Sequence, residues 1–146
     1  MALAPELSKM TGKLVYLGPQ PERAAGFKLM GNLFLMYLQT GMTEMLGLAK
    51  ALEIPATEAA TLFDAFNPGQ TLPARFRRIL DADFANPSWE LSMARKDARL
   101  MLEETAHANV PLEVLPAIAS VMDRYIARGH GKDDWSVIAK DWLAAR

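Results

Sequence analysis

The sequence contains no cysteine, which rules out disulfides and thiol chemistry without by itself fixing a compartment. It has only two histidines, His107 and His130, far apart and with no second ligand at metal-binding spacing, so no metal site is expected. Neither sign of charge dominates: 16 basic and 17 acidic residues leave a net charge of -1, and nothing draws the chain toward nucleic acid or an anionic membrane. The N-terminus lacks a basic region followed by an apolar core, because Pro5, Glu6 and Lys9 interrupt it. No secretion signal is expected, and the cytoplasm is the default location. The uncharged stretch over residues 29–43 is shorter than the roughly 20 apolar residues of a membrane span and holds Asn32, Gln39 and two glycines, so it reads as a buried helix.

What is present is enough for one globular domain: 146 residues, 51% hydrophobic and 23% charged. Residues 14–17 (Leu, Val, Tyr, Leu), between Gly12 and Gly18-Pro19, give the one strand signal. A lone strand cannot satisfy its own backbone, so a sheet must come from a missing N-terminal part or from another copy. Residues 5–10 read as a last short helix before it. Beyond Pro21 the pattern is helical throughout. A proline-free run over residues 23–52 ends before Ile54-Pro55 and would span about 40 Å, more than a small domain can cover by itself. Gly26, Gly31, Gly41 and Gly47 each cost that helix about 1 kcal/mol against alanine, which points to close approach by another helix or a ligand. Shorter helices are expected near residues 57–65, 73–81, 89–108 and 112–128, the last ended by Gly129-His130-Gly131. A final helix capped by Asp133 or Asp134 runs through Leu143. The expected fold is all-α, one long central helix with about five shorter ones and a short N-terminal strand remnant.

Lys28 and Asn32 are the strongly polar residues between Arg23 and Gln39, in an otherwise apolar part of the long helix. Four residues apart, they share one helical face, so an ammonium and a carboxamide point together at whatever that face meets. A buried lysine must find partners, reach solvent or lose its proton. Elsewhere the residues read as structural. Arg75-Phe76-Arg77-Arg78 is a solvated basic helix surface, Glu103 and Glu104 point apart, and Asp97 pairs locally beside Lys96. Trp135 and Trp142, seven apart, anchor the last helix to the core or to a neighbouring subunit. The nine methionines are core filler.

Taken in order, the strand and Gly18, the proline turn, Lys28-x-x-x-Asn32 opening a long apolar helix, an aromatic (Trp89) seven residues before Lys96-Asp97, and Asp134-Trp135-Ser136 after Gly129 and Gly131 resemble the β-hydroxyacid dehydrogenase family, which includes 3-hydroxyisobutyrate and 6-phosphogluconate dehydrogenases. The resemblance covers nearly the whole chain, but only that family's C-terminal half. No Gly-x-Gly-x-x-Gly phosphate loop occurs, so the N-terminal NAD(P)-binding domain is expected to be missing. Residues 1–20 would then be the end of that Rossmann-type domain, and 21–146 the helical substrate and dimerisation domain.

The resemblance implies a two-domain NAD(P)-dependent oxidoreductase acting on a small β-hydroxyacid or related hydroxy or carbonyl compound at the domain junction. Lys28 matches the family's catalytic lysine, which exchanges the hydroxyl proton, and Asn32 its substrate-orienting asparagine. Lys96 matches the lysine that reaches toward cofactor and substrate, and Trp89 stands where a phenylalanine is usual. Glu22 and Ala24 occupy the positions of the family's two glycines before the lysine, so the likeness does not extend to its usual carboxylate contact. Imine-reductase relatives often replace the lysine, and keeping Lys28 favours hydroxyacid chemistry over imine or ketone reduction. The resemblance further implies a homodimer, with NAD or NADP bound mainly by the absent half, and an inactive fragment when this chain stands alone. The rival from another class is a non-catalytic helical dimerisation or interaction module. Substrate, cofactor preference and reaction direction are not legible here.

Overall fold

The computed structural model describes residues 4–11 and 13–143; Gly12, the expected front edge of the strand, lies outside them. Among the described residues the α-helices are α1 (Ala4–Met10), α2 (Pro21–Ala51), α3 (Ala56–Ala60), α4 (Leu62–Ala65), α5 (Leu72–Leu80), α6 (Leu91–His107), α7 (Leu115–Tyr125) and α8 (Lys140–Leu143). Single 3₁₀ turns at Pro68–Thr71 and Trp135–Ala139 precede α5 and α8, and Ile126–His130 prolongs α7 until Gly129 breaks it at φ 91°. The architecture is all-α and includes one long helix, as the pattern implied. The expected final helix is in fact a 3₁₀ turn followed by the four residues of α8. No described helix is long and apolar enough to cross a membrane.

No strand forms among the described residues. Residues 13–17 have no regular structure, because no other described segment pairs with them.

The chain divides into two compact units, Met1–Gln39 and Thr40–Arg146. In the first, every residue from 27 to 39 on α2 is exposed, including Leu29 and Met36 at 67% each. This corrects the reading of that stretch as interior. Its composition is interior-like, but nothing within the first unit's described residues covers it. The second unit holds the core, formed by Phe84, Leu91, Ala94, Met122, Tyr125 and Val137 from the segment before α6, α6, α7 and the turn before α8. The long helix is therefore not the centre of that core: Ala49 is its one buried residue.

Within the second unit the closing part of α2 packs where its small residue permits. A Cβ on Gly47 would stand 3.2 Å from Leu112 Cδ2, so this glycine answers to a close approach, whereas Gly26, Gly31 and Gly41 have open space at that position. Beside it, the Glu44 carboxylate accepts hydrogen bonds from the Val114 and Leu115 backbone N–H groups, the latter at 3.0 Å. It caps the start of α7, which has no side-chain cap of its own, and places negative charge at that helix's positive end.

Three helices end in the same way. α2, α5 and α6 close with paired bonds such as Ile54 N–H to Ala49 O at 2.8 Å and Val110 N–H to Thr105 O at 2.8 Å. Each needs a residue in the left-handed region, and the sequence supplies Glu53 (φ 57°), Ala82 (φ 52°) and Asn109 (φ 55°). Asparagine tolerates that conformation; alanine does not. Ala82 is exposed, so its methyl group contributes no packing. Ala82→Gly is expected to stabilise the fold by about 0.5–1 kcal/mol, the relieved strain less the entropy glycine adds to the unfolded chain. Urea melts of the two proteins check it, and an unchanged or lower midpoint would contradict the account of this turn.

Candidate functional site

Lys28 and Asn32 stand one turn apart on the same face of α2, as their spacing requires. Both are exposed, and neither is engaged by another described residue, so the expected burial of this pair is not met within the chain. Glu22 and Ala24 precede them on the first turns of the same helix and are also exposed. These residues belong to the first unit.

Trp89 and Lys96 belong to the second unit. Trp89 lies in the turn before α6, 39% exposed, and its ring packs on Trp135 with centroids 5.7 Å apart and planes tilted by 59°. Lys96 is on the second turn of α6, exposed, with its ammonium 3.6 Å from Asp97. The local pairing read for Asp97 is thus present.

The turn that carries Trp89 is held by a side chain buried to 1% exposure, Asp134. Its Oδ2 accepts from the Ser88 backbone N–H at 2.8 Å, the Ser88 hydroxyl at 2.9 Å and Arg78 Nη1 at 2.9 Å. Its Oδ1 accepts from the Ser136 hydroxyl at 2.6 Å and the Ser136 N–H at 3.1 Å, which is the cap expected at the last helical segment. Main-chain bonds extend the clasp: Trp135 N–H donates to Trp89 O at 2.9 Å, Leu91 N–H to Asp133 O at 2.9 Å and Ser92 N–H to Gly131 O at 2.9 Å. The loop before α8 thereby satisfies the free amides that open α6, which has no side-chain cap. Gly131 allows this approach, since a Cβ there would stand 2.6 Å from Ser92 Oγ.

Burial pushes the Asp134 carboxyl upward, but the hydrogen bonds from Ser136 and then Ser88 outweigh it and hold the group well below the usual carboxylate range. Arg78, read from the sequence as part of a solvated cluster, is thus the cation paired with the buried carboxylate. Arg75 stays on the surface and donates to Thr71 Oγ1 at 3.0 Å. Nothing in the local spacing separates the two arginines, whose partners lie at different depths.

Other readings divide. Trp135 packs on the core, whereas Trp142 is 88% exposed and is not anchored to the core formed by the described residues. His130 Nδ1 lies 2.6 Å from Asp133, and among the described residues no group of three or more acidic or histidine side chains converges as metal ligands would. Arg128 makes a two-pronged pair with Asp141 at 2.7 and 2.9 Å and lies over the Tyr125 ring, fastening the end of α7 to α8. An open groove lined by Leu46, Lys50, Glu53, Ile54, Pro55 and Ala56 flanks the end of α2 and contains none of the predicted site residues.

Residues 23–143 match the family model described as NADPH-dependent reductive aminase-like, C-terminal domain. The 3-sulfolactaldehyde reductase of Escherichia coli (strain K12) is 26% identical over 136 residues, 92% of this chain and 45% of the reductase. Among solved structures, an imine reductase from Pseudomonas sp. superposes with a TM-score of 0.85 at 17% identity, covering 97% of this chain and 50% of its own. A reductive aminase from Aspergillus terreus, solved with NADPH4, cyclohexanone and allyl amine, gives a TM-score of 0.71 at 21% identity, covering 82% and 44%. The chain spans about half the length of these proteins. At such identities the structural likeness shows the fold alone, the helical architecture inferred from the dehydrogenase resemblance. By the match over residues 23–143, the chain belongs to the NADPH-dependent reductive aminase-like C-terminal domain family.

Proposed function

We propose that this chain is the substrate-side and subunit-contact domain of an NAD(P)H-dependent reductase acting on a small carbonyl or hydroxyacid compound, with Lys28 as its proton-transfer residue. The observation that carries the reading is the pairing of Lys28 and Asn32 on one unobstructed face of α2, in a chain of this family. A lysine ammonium can give a proton to a developing alkoxide and take it back in the reverse direction, while a carboxamide one turn away fixes the oxygen by hydrogen bonding. Reduction of a carbonyl compound is also what the name of the 26% identical relative states.

The dinucleotide can be tested against the residues present. Trp89 offers a partly exposed aromatic face, and Lys96 an exposed ammonium suited to a phosphate or carboxylate. With no Gly-rich phosphate loop in the chain, most of the cofactor's contacts fall to a dinucleotide-binding domain outside it. When bound, the nicotinamide supplies the hydride; the tasks of this chain are to orient the substrate oxygen and to move its proton. In this reading residues 1–20 are the end of the dinucleotide-binding domain, with 14–17 pairing on its sheet, and residues 21–146 form the helical domain. The protein is placed in the cytoplasm, and the chain alone is expected to be inactive.

Imine or ketone reduction is the second reading, favoured by the family's description as reductive aminase-like. A substrate panel separates the two: hydroxyacids and their aldehydes, against ketones offered with and without an amine, using the protein joined to its dinucleotide-binding half. Turnover confined to the ketone-plus-amine pairs would reject hydroxyacid chemistry. No turnover of any compound, with the cofactor bound, would favour the non-catalytic interaction module.

The partner proposed for the exposed apolar run of α2 is a second copy of the chain. Away from the face of Lys28 and Asn32 the run is apolar, and Phe27, Leu33, Phe34 and Tyr37 are at least half exposed, an area that single soluble chains rarely leave in water. Light scattering at micromolar concentration is expected to give the mass of a dimer. A strictly monomeric species would contradict the assignment.

A further inference from the structure

We infer that Asp134 is a positioning residue for Trp89: it sets the pose of the indole that faces cofactor or substrate without touching either. The inference rests on the reading of Trp89 as a binding residue. Trp89 is fastened on three sides by the segment around Asp134. Its preceding residue, Ser88, gives both its N–H (2.8 Å) and its hydroxyl (2.9 Å) to Asp134 Oδ2. Its own carbonyl accepts the N–H of Trp135 at 2.9 Å, and its ring leans on the Trp135 ring at 5.7 Å. The following residue, Glu90, bridges to Asp134, while Asp134 N–H donates to Phe84 O at 2.8 Å and so ties the clasp to the core segment.

This is more than a cap requires. Ser136 alone would account for a helix-capping aspartate, and it uses only Oδ1. The second oxygen is given wholly to the turn before α6 and to Arg78, in a buried place where each lost acceptor leaves donors unsatisfied. A half-exposed indole ahead of a helix would otherwise have a mobile turn. Here its backbone is held on both sides, by the fully buried carboxylate through Ser88 before it and by the Trp135 N–H at its own carbonyl. A site works when the groups behind the contacting residue fix its rotamer, and a misplacement of about 1 Å can cost about 100-fold in rate.

The test begins with the chain itself. The tilted Trp89 and Trp135 rings are close enough to give an exciton-coupled circular-dichroism signal. Asp134→Asn should remove most of it with helix content retained, since an amide can serve the donors on one side of the carboxylate but not on both. Should Asp134→Asn fail to fold, Ser88→Ala keeps Asp134 and its charge, and the same signal should weaken in that variant. In the holoenzyme, Asp134→Asn (or Ser88→Ala in its place) is expected to raise KM about tenfold for the ligand that Trp89 contacts, with a smaller change in kcat. The effect should vanish in a Trp89→Ala background, because the two changes act through one contact. Effects that multiply across the double variant, or an unchanged exciton signal, would overturn the positioning role alone. A Trp89→Ala enzyme with normal KM values would instead remove Trp89 from the site, and the inference with it.

Discussion

Replacing Lys28 by alanine is expected to lower kcat of the complete enzyme by at least about 100-fold, at the lower end of what a positioned acid or base contributes. Alanine leaves α2 intact, since it is the best helix former, so the loss reports chemistry rather than folding. Asn32 stays on the same face and keeps its hold on the substrate oxygen, so KM should move far less than kcat. That split is the signature of an interaction made in the transition state. Lys28→Arg sharpens the test. It keeps a positive charge at the position but cannot release a proton at any working pH, so it should remain as inactive as the alanine variant. Recovery of turnover in the arginine variant would mean that charge, not proton transfer, is what Lys28 supplies. Near-normal turnover in Lys28→Ala would remove it from the chemistry altogether.

How far the sequence carries depends on whether a residue's partner lies in the same helix or loop. The long helix, its stop before Pro55 and the break at Gly129 were legible because glycine, proline and capping residues act over a few positions. So was a cap at Asp133 or Asp134, and it is Asp134 that serves Ser136 two residues on. The other half of that aspartate's work was not legible. Ser88 and Arg78 lie 46 and 56 residues away, and no spacing rule connects them. Glu44, which caps α7 from 70 residues away, was missed for the same reason. The apolar run of α2 failed in the opposite direction. Composition says that a surface wants covering, but not which molecule covers it, and the run is exposed in this chain. Residues 14–17 carry strand-forming side chains yet stay unpaired, because a strand is a property of two segments and the chain holds one.

The second large effect concerns stability. Asp134→Ala is expected to cost about 3–5 kcal/mol, the usual penalty for removing one partner of a buried, hydrogen-bonded ion pair. Two hydroxyls, two backbone N–H groups and Arg78 would lose their acceptor at once. Against a domain stability of about 5–15 kcal/mol, that should bring the unfolding midpoint in urea down by a large fraction. The same carboxylate sets a pH signature. Its folded-state pKa lies well below the unfolded value of about 3.9, so its contribution is complete above about pH 4 and is lost as pH falls through the folded value. In that window the unfolded chain binds one more proton than the folded one, and stability should fall by about 1.4 kcal/mol per pH unit on account of this group. Asp141, lowered to about 2 by its bond to Arg128, adds to the slope with the same sign, but it lies on the surface, where salt screens it. Asp134→Asn has no proton to bind at that position, so its stability should vary less steeply below pH 4, and added salt should not restore the difference. Parallel pH profiles for the two proteins would mean that the hydrogen bonds from Ser136 and Ser88 do not hold Asp134 ionised in the fold.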